Sequence, residues 1–354
     1  MPARSVRNDH ATGLRNGGLV EVKSVEEILS TLDERGRLEA LPFMPEMLAY
    51  SGKRFRVYKQ AIKFCDTKDL TGYHRMYNAV HLENLRCDGS GHGGCQAGCL
   101  LYWKEAWLRP VESDEHLAES SLPQPESAST GSSEPIPVPE VVAAGTCIED
   151  PSGDGEAVYS CQATDLTGAG PERLPWWDVR MYVRDVRSGN VGLLPMLHSL
   201  LVMLFNKFQA ANRRFLPGLL IIQNGKQWPF IKGRLTKTPK ETIGLQPGEL
   251  VEVKSKEEIF RTLDTKDKNR GLMFDVEMLR YCGKQARVLR RVERIINEKT
   301  GKMMELPGDC IILDDVICAG VYHQYCPRNI YPYWREIWLR RVEQPRDGRV
   351  DSSR

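Results

Sequence analysis

The feature that most constrains this chain is a short cysteine and histidine motif that occurs twice. The motif Cys-x4-His-x2-Cys is found at Cys87, His92 and Cys95, and again at Cys318, His323 and Cys326. In both places a Trp-x-Glu-x-Trp-Leu segment follows, beginning at Trp103 and at Trp334. Thiolate and imidazole groups are ligands of zinc and of other borderline-soft metals. Because the spacing is the same in two segments that have diverged at many other positions, it predicts two metal-binding knuckles.

The similarity between the two segments extends well beyond the knuckles. Leu19–Ser24 reads Leu-Val-Glu-Val-Lys-Ser and matches Leu250–Ser255, an offset of 231 residues. The same offset relates the two knuckles, so no net insertion separates the segments over roughly ninety residues, as in an internal repeat. We therefore expect two copies of one fold, which we name copy 1 (residues 18–112) and copy 2 (residues 246–343).

Local patterns in each copy predict a small α+β fold. Alternating apolar residues from Leu19 to Val22 predict a strand. Ser24-x-x-Glu27 and Ser255-x-x-Glu258 are capping boxes, which predict the start of a short helix in each copy. Further short strands lead into the knuckle. We expect a strongly bent antiparallel sheet or an SH3-like barrel in each copy, with the knuckle inserted before the last element.

Segments outside the two copies differ from them in composition. The expected segments are a flexible N-terminus (1–17), a disordered linker (113–156), a central helical segment (157–245) and a flexible tail (344–354). The linker prediction rests on its many serine, proline, glutamate and glycine residues and its few large apolar ones. The whole chain is thus predicted to be α+β, with two β-rich domains and a helical segment between them.

The most apolar stretch of the chain lies at 193–211, where leucine and phenylalanine recur at helical spacing. This pattern favours a buried helix, and the alternative is a helix that binds a membrane surface or a partner. His198, Asn206 and Lys207 interrupt the apolar run, which is too short to span a bilayer. We therefore expect no transmembrane segment and no peripheral membrane contact through 193–211.

A closed structural zinc site has four ligands, whereas each knuckle supplies three. In copy 2 the candidate for the fourth ligand is Cys310. In copy 1 the corresponding position is Ala79, so the candidates are Cys65 and Cys99. Complete coordination by thiolates and imidazole favours a structural zinc ion. The alternative for copy 1 is iron or an iron–sulfur cluster, because four cysteines and one histidine are available there.

Composition and charge limit the classes of partner and the cellular compartment that we expect. The chain has 354 residues and a net charge of +2, so no strong overall field attracts nucleic acid or an anionic membrane. The first residues are polar and basic and lack the apolar core of a signal peptide. Ten cysteines in a reducing compartment indicate metal binding or catalysis before disulfides. We expect a cytoplasmic protein.

Several segments resemble those of an uncharacterised group of bacterial proteins. The residues that carry the resemblance are Pro42–Leu48, His81–Leu82, Cys87–Gly89, Trp103–Trp107 and Tyr331–Glu336. The resemblance covers both copies and the central helical segment but not the linker. It implies two copies with cysteine and histidine on either side of a helical segment, and it brings no established activity.

Together these patterns predict a two-copy metal-binding protein, with zinc as the metal and binding as its function. It would act as an adaptor for a protein partner or associate with nucleic acid, and a disordered linker would let one copy move relative to the other. The alternative is a metal-dependent enzyme or an accessory protein of a bacterial biosynthetic pathway, with a redox or catalytic metal in copy 1. The chain contains no P-loop, Rossmann fingerprint or His-Glu-x-x-His motif.

Overall fold

The computed structural model describes residues 14–111, 137–148, 156–215, 222–306 and 308–342. The described residues form a mixed α+β protein with several antiparallel sheets and few helices, which confirms the predicted class. The predicted tail and most of the predicted N-terminal segment lie outside the described residues. The predicted linker also lies outside them, apart from residues 137–148 and 156.

Copy 1 forms a five-stranded antiparallel sheet. The strands of copy 1 are β1 (Leu19–Val22), β2 (Arg37–Leu38), β3 (Leu41–Pro42), β4 (Arg54–Gln60), β5 (Lys63–Cys65), β6 (Tyr73–Arg75), β7 (Ala79–Leu82), β8 (Trp103–Lys104) and β9 (Leu108–Pro110). The order in the sheet is β8-β7-β4-β1-β9. Alternation explains β1, because Val20 and Val22 are buried while Glu21 faces outward. A register shift between Val57 and Lys59 marks a β-bulge in β4, and bulges bend a strand.

The segment between the copies is mainly helical. Its elements are α2 (Glu140–Thr146), β10 (Cys147–Ile148), β11 (Val158–Tyr159), α3 (Gln162–Ala169), β12 (Arg173–Leu174), α4 (Val179–Arg187), α5 (Leu193–Phe215) and a 3-10 helix (Gln223–Gly225), with α1 (Val25–Leu29) preceding them in copy 1. Helix α2 lies within the range predicted to be a linker, and its Val142 is buried in the core of copy 1. β12 extends the β5–β6 hairpin into a three-stranded sheet, and β10 pairs with β11.

Copy 2 contains a second five-stranded sheet with the same strand order. Its elements are β13 (Leu250–Val253), α6 (Lys256–Phe260), β14 (Lys268–Asn269), β15 (Leu272–Met273), β16 (Gln285–Arg291), β17 (Arg294–Ile296), β18 (Met303–Glu305), β19 (Cys310–Leu313), β20 (Trp334–Arg335) and β21 (Leu339–Arg341). The order β20-β19-β16-β13-β21 repeats that of copy 1 strand for strand. The register repeats as well, because Leu19 pairs with Arg56 and Leu250 pairs with Arg287. Within the described residues neither sheet closes into a barrel.

Both predicted capping boxes are present. The side chain of Ser24 accepts a hydrogen bond from the backbone N–H of Glu27, and the Glu27 carboxylate accepts one from the N–H of Ser24. Ser255 and Glu258 do the same at the start of α6. These reciprocal bonds satisfy backbone donors that a helix start leaves without partners, so the two short helices begin where the sequence predicts.

A pair of tryptophans anchors the core of each copy. Trp103 and Trp107 in copy 1 are fully buried, and the ring of Phe43 packs edge-on against both of them. In copy 2, Phe274 packs in the same way against the two buried tryptophans, Trp334 and Trp338. Edge-to-face packing of this kind adds to the large apolar area that each ring buries. It places the 3-10 helix that follows each phenylalanine, Pro45–Tyr50 or Val276–Tyr281, at the edge of the core.

Helix α5 is exposed along its apolar side, in contrast to the buried helix that the sequence favours. Leu194 and Leu201 are 78% and 67% exposed, whereas the polar side chains of Ser199 and Gln209 are buried. By length and composition, Leu193–Asn212 could cross a membrane. Helix α5 is therefore amphipathic, but its polar side chains face the protein and its leucines face solvent, which is the opposite of the usual arrangement.

The chain forms two compact units. Unit 1 consists of Met1–His198, Arg294–Met304 and His323–Asn329, and unit 2 of Ser199–Glu293, Glu305–Tyr322 and Ile330–Arg354. Two short segments of copy 2 thus belong to the unit that contains copy 1. One of them holds β17 and most of β18, and the other holds the end of the second knuckle.

Candidate metal centres

Three side chains of copy 1 converge on one point. The ligand atoms of Glu46, Cys87 and His92 all lie within 4.8 Å of one another. We call these residues the copy 1 trio. Carboxylate oxygen, thiolate sulfur and imidazole nitrogen are the three ligand types that zinc accepts. The arrangement could therefore hold a metal ion.

The backbone positions each member of the trio. Glu46 lies in the first turn of the 3-10 helix Pro45–Tyr50, next to the aromatic core. The N–H of Cys87 donates to the carbonyl of Cys99 at 2.8 Å, which closes the base of the knuckle. The N–H of His92 donates to the carbonyl of Gly89 at 3.1 Å, so a tight turn returns the imidazole toward the cysteine.

Two glycines of copy 1 lie at this close approach. Gly89 has a φ of +80°, and a Cβ atom there would lie 2.1 Å from the carbonyl oxygen of Cys95. At Gly91 a Cβ atom would lie 2.8 Å from Oε2 of Glu46. Larger residues would strain the first position and displace the carboxylate at the second. The glycine-rich sequence of the knuckle thus lets the backbone pass directly beside the glutamate.

The trio is buried and incompletely hydrogen-bonded. Sγ of Cys87 lies 3.4 Å from Nε2 of His92, and Nδ1 of His92 lies 3.9 Å from Oε1 of Glu46. Three buried atoms of the trio have no hydrogen-bond partner among the described residues. They are both carboxylate oxygens of Glu46 and Nδ1 of His92. Burying such groups without partners is costly, whereas a bound cation would compensate all of them at once.

Burial shifts every pKa in the trio against the charged form. It raises the pKa of the Glu46 carboxyl and that of the Cys87 thiol. It also lowers the pKa of the His92 imidazole, although the nearby Asp88 carboxylate opposes this shift. A divalent cation would reverse the first two effects, because it stabilises both anions and binds the neutral imidazole. Metal binding should accordingly release protons from the trio.

Copy 2 contains the equivalent trio at the same offset of 231 residues. The ligand atoms of Glu277, Cys318 and His323, the copy 2 trio, also lie within 4.8 Å of one another. The backbone hydrogen bond at the base of the knuckle is also repeated, since the N–H of Cys318 donates to the carbonyl of Ile330 at 2.9 Å. In copy 2 the N–H of Tyr322 donates to Oε1 of Glu277 at 2.5 Å. Tyr322 occupies the position of the glycine that lies beside the carboxylate in copy 1.

The last cysteine of each knuckle lies apart from its trio and contacts the hairpin of the other copy. Sγ of Cys326 accepts a hydrogen bond from the N–H of Cys65 at 3.2 Å, and the two sulfur atoms are 3.1 Å apart. Sγ of Cys95 accepts a hydrogen bond from the N–H of Ile296 at 3.4 Å. Burial alone would raise the pKa of the Cys326 thiol, but the hydrogen bond with Cys65 and the Arg328 guanidinium lower it.

The two other predicted ligands also lie outside the trios. Cys99 is partly buried against the core of copy 1, and desolvation raises the pKa of its thiol to about 12. Cys310 in β19 is buried, and its Sγ accepts a hydrogen bond from Nη1 of Arg335 at 3.3 Å. The structure thus brings together the first cysteine and the histidine of each knuckle. A role for Cys65, Cys95, Cys99, Cys310 or Cys326 as a metal ligand stays a prediction.

The glutamate of each trio was not predicted from the sequence. Glu46 lies 41 positions before Cys87 and outside the knuckle, so spacing within the motif could not indicate it. A usable signal was nevertheless present, because Glu-Met-Leu occurs at Glu46 and again at Glu277, at the same offset as the knuckles. An acidic residue that recurs at a buried position next to aromatic anchors is a candidate ligand.

No family model, curated protein or solved structure matches this chain. It is a mixed α+β protein with two Glu/Cys/His groups that could hold metal ions.

Proposed function

We propose that this protein binds one zinc ion in each of two copies of a duplicated domain, through a glutamate, a cysteine and a histidine. One observation carries the proposal: the copy 1 trio recurs at the same three positions in copy 2. An accidental cluster of acidic and thiol groups would not be expected to persist in both copies, since many of their other residues have diverged. The buried Glu46 carboxylate, which lacks a hydrogen-bond partner among the described residues, supports a cation in copy 1.

The ligand set favours zinc among the common metals. Mg²⁺ and Ca²⁺ take oxygen ligands almost exclusively, whereas zinc accepts sulfur, nitrogen and oxygen together. A thiolate and a carboxylate supply two negative charges, which balance a divalent ion inside a buried site. Zinc also lacks redox activity, so it would not oxidise the thiolate that holds it.

The repeated sheet supports a gene duplication as the origin of the two sites. The same strand order, the same register and the same β-bulge occur in both copies. The bent central strands, β4 and β16, support an SH3-like arrangement of each copy. In this arrangement a zinc ion would tie the 3-10 helix, which supplies the glutamate, to the knuckle, which supplies the other two ligands.

The role we propose for the two metal sites is structural, in a cytoplasmic adaptor that binds a protein or a nucleic acid. The burial of the copy 1 trio supports a structural ion, because a bound ion would be shielded from solvent. A reducing compartment is supported by the cysteines, all ten of which are outside disulfide bonds. Two metal-stabilised copies in one chain would present two binding surfaces and gain from simultaneous engagement.

One observation favours a second function, that of a metal-dependent enzyme. Each trio contains three protein ligands, and zinc sites with three protein ligands commonly keep the fourth position for water or substrate. A fourth protein ligand would close that position and favour the structural role. The coordination number therefore separates the two functions.

The test of metal binding is elemental analysis of the full-length protein, purified without a metal-affinity tag. We expect about two zinc ions per chain, and about one after Cys87→Ser, Glu46→Gln or Cys318→Ser. Combining Cys87→Ser with Cys318→Ser should remove both. Cys147→Ser is the matched control, because this cysteine is exposed and outside both trios. A protein that contains no stoichiometric metal, or variants that retain two ions, would refute the proposal.

Cobalt substitution tests the coordination number. A cobalt-loaded protein whose absorption spectrum is unchanged by added azide has no open coordination position, which supports the structural role. A spectrum that changes with azide shows an exchangeable position and favours the enzyme. Iron in place of zinc, with visible charge-transfer bands, would favour a redox centre.

A further inference from the structure

Two cysteines, Cys65 and Cys326, bring their thiols into contact, and we name them the thiol pair. Their sulfur atoms are 3.1 Å apart although the residues are 261 positions apart in sequence. Cys65 ends β5 and is half-buried, whereas Cys326 is buried. The N–H of Cys65 also donates to Sγ of Cys326 at 3.2 Å. Neither residue belongs to a metal trio.

A buried arginine lies beside the thiol pair. Nη1 of Arg328 donates to the carbonyl of Cys65 at 3.1 Å and to the hydroxyl of Thr67 at 2.7 Å. Its Nη2 donates to the Glu298 carboxylate at 3.2 Å. This positive group, together with the N–H donated to the Cys326 sulfur, favours a thiolate in the pair. Thiolates are the reactive form in thiol–disulfide exchange.

The contact equivalent to that of the thiol pair, between Ile296 and Cys95, lacks the second thiol and the arginine. At the equivalent place Ile296 donates its N–H to Sγ of Cys95 at 3.4 Å, so the backbone contact is preserved. Isoleucine there replaces Cys65, and Ala97 replaces Arg328. One contact thus has two thiols and a buried cation, while its counterpart has one thiol and no cation at that position.

We propose that the thiol pair is a redox-active dithiol that a small-molecule disulfide oxidises to an intramolecular disulfide. The half-buried Cys65 thiolate attacks the small disulfide, forms a mixed disulfide and releases one thiolate. The Cys326 thiolate then attacks the Cys65 sulfur, forms the Cys65–Cys326 bond and releases the second thiolate. Two electrons pass to the small disulfide, and the two protons that the dithiol loses to solvent balance the two that the released thiolates take up. The sulfur atoms must move about 1 Å closer to reach a bond length of about 2.05 Å.

The experiment equilibrates the full-length protein with glutathione and glutathione disulfide, quenches with acid and alkylates every remaining thiol. We expect ten alkylated cysteines in the reduced protein and eight after oxidation, with a peptide that joins Cys65 to Cys326. Unfolded oxidised protein should migrate faster on a non-reducing gel, because the bond closes a large loop. Cys65→Ser should abolish the joined peptide, and the matched Cys95→Ser should retain it.

Three results would overturn the proposal. The first is a disulfide between other cysteines, and the second is a stable mixed disulfide at Cys65 that never resolves. The third is a bond that forms only after a chelator removes metal, because the two sulfur atoms would then be metal ligands. Peptide mapping of the wild-type protein shows whether the Cys65–Cys326 disulfide forms even where a variant fails to fold.

A separate observation, the exposed side of α5, carries a second inference. The exposed leucine and phenylalanine residues of α5 are Leu193 and five others, which we name the leucine stripe: Leu194, Leu197, Leu201, Leu204 and Phe208. They are spaced alternately three and four residues apart, as in the a and d positions of a coiled coil. The other side is bound to the protein: Oγ of Ser199 donates to the carbonyl of Val321 at 2.7 Å, and Nε2 of Gln209 donates to the carbonyl of Ile222 at 3.1 Å.

The spacing of the leucine stripe indicates that it packs against another helix. A helix that lies on a membrane has a broad apolar face, whereas a strict a and d stripe is narrow and fits one other helix. The stripe is flanked by the exposed polar residues His198 and Lys207. We propose that the leucine stripe packs against the same stripe of a second copy of this chain. A symmetric contact of this kind needs no other partner.

Sedimentation velocity of the full-length protein tests this pairing. We expect a dimer that Leu201→Glu converts to a monomer with an unchanged circular dichroism spectrum. Ala210→Glu is the matched control, because this residue is exposed on α5 but outside the stripe, and it should remain dimeric. A wild-type protein that is monomeric up to micromolar concentrations would refute the pairing. A monomer that sediments with phosphatidylcholine–phosphatidylglycerol vesicles would instead assign the stripe to a membrane.

Discussion

Mild acid should destabilise this protein through one buried histidine, His81 in β7. The side chain is fully buried, its Nδ1 lies 2.9 Å from the carbonyl oxygen of Leu101, and its ring packs 4.3 Å from that of Tyr102. Burial lowers the pKa of the imidazole from its ordinary value of 6.5 to about 3, against the hydrogen bond to Leu101. The nearby positive charges of Lys59 and Arg86 act in the same direction as burial.

The sign and size of the effect follow from proton linkage. Below pH 6.5 the unfolded chain binds a proton at His81 that the folded protein does not bind, so the free energy of unfolding falls as the pH falls. The loss continues down to about pH 3 at about 1.4 kcal/mol per pH unit. Between pH 8 and pH 5 it amounts to about 2 kcal/mol, a large part of the stability of an ordinary domain.

Urea unfolding at several pH values, with a chelator present throughout, measures this loss. His81→Ile is the matched variant, because the equivalent position in copy 2 is the fully buried Ile312. Other titrating groups are common to both proteins, so they cancel in the difference between the two curves. We expect the difference in the free energy of unfolding to change by about 2 kcal/mol between pH 8 and pH 5. Parallel curves for the two proteins would refute the argument.

Three further predictions test the packing and the trio. Phe43→Ala and its copy 2 counterpart Phe274→Ala should each cost about 3–5 kcal/mol of unfolding free energy, because each ring fills a core between tryptophans; a loss below about 1 kcal/mol would contradict this packing. Gly91→Ala should remove the metal of copy 1 alone, because its methyl group would meet the trio carboxylate at 2.8 Å; retention of two ions would contradict this. Burial alone would raise the pKa of Asp66, but the Thr71 hydroxyl and backbone N–H groups lower it from 3.8 to about 2. Its stabilisation should therefore be present above about pH 4 and lost toward pH 2. Asp66→Asn should lower the stability at pH 7 by about 1–2 kcal/mol after allowance for solvent screening, and urea unfolding at pH 7 and pH 3 should show a smaller pH dependence.

Elements that depend on neighbours in sequence could be predicted well. Strand β1 follows from the alternation of Val20 and Val22, and α1 follows from the capping box at Ser24. Both signals lie within a few residues of the element that they specify, and local hydrogen bonds are sufficient to satisfy them. The same reasoning predicted β13 and α6 in copy 2.

Long-range contacts explain what the sequence did not indicate. The knuckle motif predicts that Cys95 joins Cys87 and His92 at one metal ion, and this stays a prediction. The structure shows that its sulfur accepts a hydrogen bond from the N–H of Ile296, 201 positions away. Spacing within a motif shows which residues can reach one ion, and it contains no information about competing contacts from another copy. Glu46 was missed for the related reason that its approach depends on a separate 3-10 helix.

The sequence favoured burial of the apolar side of α5, but that side is exposed, and the physical reason for this difference is another one. Apolar spacing identifies one face of a helix, but it does not show whether that face meets the core or solvent. Here Ser199 and Gln209 are hydrogen-bonded on the inner side, and their bonds compensate for the burial of polar groups. The leucine stripe is left outside as a consequence.

The reciprocal contacts of the two copies have an evolutionary consequence. Thr67 and Glu298 are equivalent positions, and they are hydrogen-bonded to each other. Equivalent residues that meet in this way are typical of an isologous contact between identical subunits. In a homodimer, both sides of such a contact must change together, since one gene encodes them. Under the duplication proposed above, each side can mutate alone once two copies are joined in one gene, so position 65 can be cysteine where the equivalent position 296 is isoleucine. A fused ancestor could thereby retain one reactive sulfur pair where a symmetric dimer would necessarily have two or none.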